Sequence, residues 1–195
     1  MPKLNFTGNI IADIQSLLYL KNKESTFIHS KAVAEMNIKI AAKYGLDESI
    51  CELCGYLHDI SAVIPPKDMM VYAIKNSWYI DEAEKMYPFL LHQRISKVIA
   101  QEDFGITDKR ILSAISHHTT LKTKPSAYDM ALFIADKLAW DQEGGAPFYA
   151  TVSNALNQSL EAACLAYMDY IVAHKMILYP HKWFEEGMVF LHDIV

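Results

Sequence analysis

The chain has 195 residues, enough for one domain with a fully buried core at ~150 residues per domain. Apolar residues make up 52% and charged residues 21%, with seven glycines and seven prolines, which excludes a disordered tail and any collagen-like or low-complexity character. The formal net charge is −5, and only Arg94 and Arg110 among the 18 basic residues are arginines, which argues against a broad basic face for nucleic acid and leaves bidentate phosphate clamps scarce.

The apolar spacing is of helix type almost throughout, beginning with a first helix lined by Ile10, Ile14, Leu17 and Leu18. Phe27, Val33, Met36 and Ile40 line a second, which Gly45 can end as a left-handed cap. Asp47 caps a third, carrying Ile50, Leu53, Cys54 and Leu57, and the pattern predicts that it runs to the Pro65-Pro66 pair. Shorter helical pieces follow over about 67–76 and 81–86. Leu90, Leu91, Ile95, Val98 and Ile99 mark a helix ending at Gly105, and Thr107 opens the next, with Ile111, Leu112 and Ile115, which stops near His118. Ser126-Ala127-Tyr128-Asp129 resembles a capping box ahead of Met130, Phe133, Ile134 and Leu138. Gly144-Gly145-Ala146-Pro147 is a strong break. One long helix is then predicted from about Tyr149 to His174, and Tyr179-Pro180 turns the chain into a last short helix. No window alternates with period two. The predicted architecture is all-α, a single domain forming an irregular helical bundle, with a motif-bearing core at about 25–142 and C-terminal helices at 149–195 packing on it.

Eight histidines carry most of the chemical information, because neutral imidazole is a common ligand for mid-row transition metals. A lone histidine on a helix, such as His29 or His92, is ordinarily a surface or core residue. His58-Asp59 differs, since it follows Gly55-Tyr56-Leu57 at the end of a strongly apolar helix, where a carboxylate is costly without a partner. Asp59 has two oxygens and can bridge two ions. Asp136 lies in the apolar run Phe133-Ile134-Ala135, and Lys137 beside it offers a plain ion-pair explanation.

The ordered series His29, His58-Asp59, His92, His117-His118 and Asp136 on a helical scaffold resembles the HD-domain metal-dependent phosphohydrolase superfamily, and within it the YqeK-like group, similar to bacterial symmetrical bis(5′-nucleosyl)-tetraphosphatases. The matching segments are Phe27-Ile28-His29-Ser30, Leu57-His58-Asp59-Ile60, Leu91-His92, Ala114 to Thr120, and Phe133-Ile134-Ala135-Asp136. The resemblance implies that His29, His58, Asp59 and Asp136 hold one metal, and that His92 and His118, with Asp59 bridging, hold a second. His118 matches the ligand position; His117 falls where the group usually has tyrosine, and is expected as a reserve ligand or a proton donor to the leaving oxygen. Thr26, Ala62 and Gln142 stand where that group carries basic or phosphate-binding residues, and Lys122 keeps the basic residue after the fourth motif. The metal ligands are thus retained while the phosphate contacts have changed.

Two ions so held would bring the pKa of a shared water towards neutrality and offset polyphosphate charge, which is how a chain with two arginines can handle such a substrate. Asp59 and His117 are the expected catalytic groups, and Lys122, Lys137 and Thr119 the expected substrate contacts. Imidazole with carboxylate suits Fe, Mn, Co, Ni or Zn, and the resemblance implies iron. The expected activity is hydrolysis of a nucleotide or dinucleoside polyphosphate, with symmetrical cleavage of diadenosine tetraphosphate to ADP as the leading case; another HD-type nucleotidase or nucleoside triphosphate hydrolase, or a nucleotide sensor without turnover, are the alternatives. Trp78, Tyr72, Tyr79 and Tyr87 could stack on a base, although core packing is the usual role of such residues.

Other signals carry less. Cys51-Glu52-Leu53-Cys54 has the spacing of half a zinc knuckle, but no second pair exists and both thiols fall on an apolar helix face. His192-Asp193 sits at a chain end where a helix frays. Three cysteines are too few for a disulfide scaffold, so a reducing compartment fits. The opening stretch is interrupted by Asn9 and Asp13 and does not read as a secretory signal, and no run approaches the ~20 apolar residues of a membrane span. A soluble cytoplasmic protein is expected, with no membrane or nucleic-acid partner; a homodimer is compatible with the sequence.

Overall fold

Local capping chemistry sets most helix boundaries in the computed structural model, which describes residues 7–139 and 145–195. Gln142 and Gly144, part of the changed element and of the predicted glycine break, and the first six residues of the opening stretch lie outside the described residues. Helix α1 (Ile10–Leu20) starts where the Asn9 side chain accepts the Ala12 N–H. Helix α2 (Glu24–Tyr44) ends at Gly45, whose φ of 65° is the left-handed cap that glycine adopts without strain. Asp47 accepts the Ser49 and Ile50 N–H groups to start α3 (Glu48–Leu57).

Helix α3 does not run to Pro65-Pro66 as predicted. It stops at Leu57, and the chain continues as a short 3₁₀ helix over Ile60–Val63. The reason is local: the His58 Nδ1 donates to the Gly55 carbonyl at 2.8 Å, the acceptor that the next helical N–H would have used. Beyond it, Ala62 and Ile64 N–H groups bond three residues back, to Asp59 and Ser61.

Helix α4 (Pro66–Lys75) has its proline at N1, where no N–H is needed. Helix α5 (Glu82–Met86) carries an Asp81/Glu84 capping box, and a second 3₁₀ turn, Pro88–Leu91, leads into α6 (His92–Glu102). Helix α7 (Lys109–His117) is capped by Asp108 rather than Thr107, and α8 (Ala127–Leu138) by the predicted Ser126/Asp129 box. The predicted long C-terminal helix is two helices, α9 (Tyr149–Ala155) and α10 (Leu160–Ala173). Ser159, fully extended at φ −160°, caps α10 by accepting the Ala162 N–H, and Tyr44 donates its hydroxyl hydrogen to the Leu156 carbonyl between the two. Helix α11 (Lys182–Ile194), at 13 residues, is longer than the short piece expected.

No strand occurs among the described residues, and one connected apolar core draws on every helix except the short α5. Fully buried Phe133, Ile134 and Leu132 place α8 at its centre. Among these helices none is long and apolar enough to cross a membrane.

Candidate metal centre

Four helix ends and one helix face converge on a single point. His29 projects from α2, His58 and Asp59 end α3, His92 begins α6, His118 follows α7, and Asp136 lies in the last turn of α8. His29 Nε2 lies 3.2 Å and His58 Nε2 3.7 Å from the same oxygen of Asp136, Oδ1. Asp59 faces both ways: its Oδ2 is 3.5 Å from His58 Nε2, while its Oδ1 is 3.4 Å from His92 Nε2 and 3.5 Å from His118 Nε2. The donors of His29, His58 and Asp136, and those of His58, Asp59 and His118, each lie within 4.8 Å of one another and could hold a metal ion.

Three of these rings are braced alike. Nδ1 of His58, His92 and His118 meets the carbonyl three residues back, Gly55, Phe89 and Ile115, at 2.8, 2.7 and 2.8 Å. A carbonyl only accepts, so each Nδ1 carries the hydrogen and each Nε2 presents a lone pair to the centre. Two of those lone pairs, on His92 and His118, face each other at 3.0 Å, and the Nε2 of fully buried His58 has no hydrogen-bond partner. Opposed lone pairs at that distance repel unless a cation lies between them or beside them. The donor set fits transition metals on this ground.

The electrostatics agree. Burial pushes the His118 imidazole down to about 4, and burial lowers His92 against the pull of Asp59. Burial by itself would raise Asp59, but His58, His118 and His92 outweigh it and hold the carboxyl well below the usual range. Asp136 is held low in the same way, by Lys137 first and then by His29 and His58. Neutral imidazoles and ionised carboxylates are the protonation states that metal coordination requires.

The remaining predicted residues divide. Lys137 is buried with its Nζ 2.5 Å from Asp136 Oδ2 and 3.4 Å from the His118 carbonyl, above the rings of Phe133 and Tyr167. It orients Asp136, leaving Oδ1 toward the histidines, and does not face outward as a phosphate contact. Lys122 likewise donates to Ser113 Oγ at 2.6 Å and pairs with Asp129 Oδ2 at 3.1 Å. Thr119 is at the centre: its Oγ1 lies 3.1 Å from His92 Nε2. His117 is not brought in, since consecutive helical residues diverge by about 100°; its Nδ1 donates to the Ser113 carbonyl at 2.8 Å and its ring packs 4.7 Å from that of Trp183. Neither arginine is available as a clamp, for Arg94 is held by Glu84 and Arg110 by Asp108.

A cleft of about 430 Å³ adjoins the His92 side, lined mainly by apolar and aromatic side chains that include Tyr87, Phe89, Tyr167, Tyr179 and Phe184. It reaches the centre through Thr119 and through Phe89, whose ring stacks on His92 at 5.3 Å and 7°. Of the aromatics singled out in the sequence only Tyr87 lies there. Tyr72 and Trp78 pack edge to face, and Tyr79 is 77% exposed. Buried Gln93 was not anticipated; its Oε1 accepts the Thr119 N–H at 3.1 Å and its amide donates to Thr120 Oγ1 at 3.2 Å, which fixes the loop behind His118. A glutamine beside a histidine carries no sequence signal of that role. Cys51 and Cys54 are buried free thiols and join no metal-binding group among the described residues. His192 lies within α11 and pairs with Asp169 at 3.1 Å on the surface.

Comparison with known proteins bears on this centre. The HD domain model matches residues 26–141, which contain every ligand candidate above. An uncharacterised protein in the pepC 5′ region of Lactococcus lactis subsp. cremoris is 36% identical over 142 residues, covering 73% of this chain and 72% of that protein. The symmetrical bis(5′-nucleosyl)-tetraphosphatase of Staphylococcus aureus is 33% identical over 117 residues, 60% of this chain and 59% of its own. That of Bacillus subtilis is 23% identical over 171 residues, 84% and 91% of the two chains. In fold, the chain is similar to the crystal structure of a predicted HD superfamily hydrolase involved in NAD metabolism from Clostridium acetobutylicum, with a TM-score of 0.80 at 21% identity over 93% of this chain and 96% of that one.

Proposed function

The chain belongs to the HD-domain family, and from that premise we propose that it is a metal-dependent nucleotide phosphohydrolase that splits diadenosine tetraphosphate symmetrically into two molecules of ADP. The observation that carries this reading is the Asp59 carboxylate set between two groups of imidazoles, with an aromatic cleft opening onto one of them. The names of the Staphylococcus and Bacillus relatives support the substrate. We take the whole chain to act as one unit.

In this reading His29, His58, Asp59 and Asp136 hold one ion, and His92, His118 and Asp59 the other. What bound divalent ions supply in such a setting is Lewis acidity toward phosphoryl oxygens and activation of water for in-line attack. The chain's own residues do the rest. Lys137 keeps Asp136 ionised and aimed, and the three carbonyl-braced rings keep their lone pairs on target, so little reorganisation accompanies reaction. Thr119, whose hydroxyl lies 3.1 Å from His92 Nε2, would meet a phosphate oxygen in this reading. The cleft offers Phe89, Tyr87 and Tyr179 to one nucleoside. His117, against Trp183, is outside this scheme. Iron is the metal we propose, on the family resemblance, and the unpaired buried thiols suit a reducing cytoplasm.

A nucleotide panel with elemental analysis tests the reading. We expect two transition ions per chain and ADP as the sole product of diadenosine tetraphosphate; ATP with AMP would overturn symmetrical cleavage. A sensor without turnover is favoured by one observation, that both arginines are engaged by carboxylates. Metal-replete protein that binds the dinucleotide and leaves it intact over many hours would establish it. Chelation should abolish turnover and lower the melting temperature: an ion present at 100 times its Kd contributes about 2.7 kcal/mol, about 5–10 °C for a chain of this size. A melting curve indifferent to chelation would argue against bound metal.

A further inference from the structure

Among the buried acids outside the metal centre, Glu84 is the one with no exposed surface. Glu84, in α5, is fully buried, a setting that heavily penalises a carboxylate without partners. Its Oε2 accepts the Asp81 N–H at 2.9 Å, closing the capping box of α5. Arg94 Nη1 lies 3.1 and 3.0 Å from its two oxygens, and His181 Nε2 lies 3.7 Å from Oε1. Arg94 comes from α6, and His181, which lines the cleft, precedes α11; its 3.7 Å contact is longer than a hydrogen bond.

Arg94 is two residues beyond His92 in the first turn of α6. Its guanidinium also donates to the Tyr79 carbonyl at 2.8 Å and sits 4.4 Å from the Trp78 ring and 5.9 Å from that of Trp183. His181 caps α11: its Nδ1 accepts the Trp183 N–H at 3.0 Å, so in the neutral ring the hydrogen is on Nε2, the atom facing Glu84. His181 lines the cleft, and the stretch before it supplies much of one wall, through Met176, Ile177, Leu178 and Tyr179. Between the end of α10 at Ala173 and the start of α11 at Lys182 this wall has no helix of its own, and Met176, Leu178 and Tyr179 are exposed. Its place therefore depends on how its ends are fastened.

We propose that Glu84 is a positioning residue for the substrate: its carboxylate, paired with Arg94 near the Trp183 ring and within 3.7 Å of His181, links the first turn of α11 to the helix that begins with His92, and so holds the helix-free wall of the cleft at a fixed span from the ion-binding side chains. The inference rests on reading the cleft as the nucleoside subsite. It predicts an effect on nucleoside binding separate from any effect on the metal centre, because Glu84 touches no ligand candidate.

The test compares wild type with Glu84→Gln, which keeps size and removes charge, and with His181→Asn, which can still cap α11 but cannot reach Glu84. Losing one charge-assisted contact should raise KM for diadenosine tetraphosphate and the Kd for ADP, measured by titration, by about tenfold, with kcat within about twofold. Inhibition by inorganic pyrophosphate, which lacks a nucleoside, and the metal content should not change. If Glu84→Gln does not fold, His181→Asn carries the same expectation. Unchanged KM and ADP affinity in a folded variant would overturn the proposal, as would a fall in kcat with loss of metal at constant KM. Wild-type protein that binds ADP but cuts no dinucleotide would sink the catalytic reading alone, since the ADP titrations would still decide the role of Glu84. Wild-type protein that does not bind ADP would overturn both.

Discussion

Asp59→Ala will abolish turnover and empty both ion positions, a loss in kcat/KM of at least about 10³-fold, or about 4 kcal/mol of transition-state stabilisation. Asp59 is the carboxylate set between donors on two sides: one of its oxygens lies 3.5 Å from His58 Nε2, and the other lies 3.4 and 3.5 Å from His92 and His118. Removing it takes negative charge from a site whose remaining ligands on the His92 side are two neutral rings with opposed lone pairs. Elemental analysis and a product assay on the same preparation check the result, with Cys51→Ala as a control expected to retain activity within about twofold, since that thiol is buried away from the centre. An Asp59→Ala protein that still carries two ions or hydrolyses the dinucleotide at an appreciable rate would refute the bridging role.

Gly55→Ala is expected to destabilise the fold by about 3 kcal/mol and to weaken metal binding with it. A Cβ built on Gly55 would sit 2.4 Å from the Ala34 Cα and 2.5 Å from its nitrogen. Both are backbone atoms, so no rotamer change can relieve the overlap, and α2 and α3 must separate. Those two helices carry His29 and His58, whose rings are 5.3 Å apart, and the Gly55 carbonyl braces the His58 ring. Thermal unfolding should show a drop of about 6–12 °C, and titration of the apoprotein a weaker metal affinity. A melting temperature within about 2 °C of wild type would show that the α2–α3 contact yields more easily than close packing allows.

Much of the fold was readable from local rules. Asn-, Asp- and Ser-type caps and the left-handed Gly45 act over three or four residues, so Asp47, Ser126 and Gly45 announce their helix ends directly. The break between α9 and α10 was not, because Leu156 through Ser159 lack glycine and proline, and the Tyr44 hydroxyl that meets the Leu156 carbonyl comes from 112 residues away. The ligand candidates stood out through their resemblance to a family pattern, and the structure gathers His29, His58, Asp59, His92, His118 and Asp136 into one place. What sequence could not separate were side chains equal in type but opposite in direction. His117 and His118 are neighbours, yet one turns to Trp183 and the other to Asp59. Lys122 and Lys137 look like phosphate contacts until their carboxylate partners are seen. The cleft joins Tyr87 to Tyr179, at 6.0 Å between ring centres, and no local pattern links residues so far apart along the chain.

The ligand candidates come from five helices or their ends, so an ion lodged among them adds bonds across segments otherwise held by packing and a few polar contacts. Withdrawing it leaves opposed lone pairs at the heart of the molecule and shifts the balance toward opened forms that proteases attack. A cell starved of transition metal would then hold a smaller stock of this protein, and its amount would follow mineral supply even with transcription held constant.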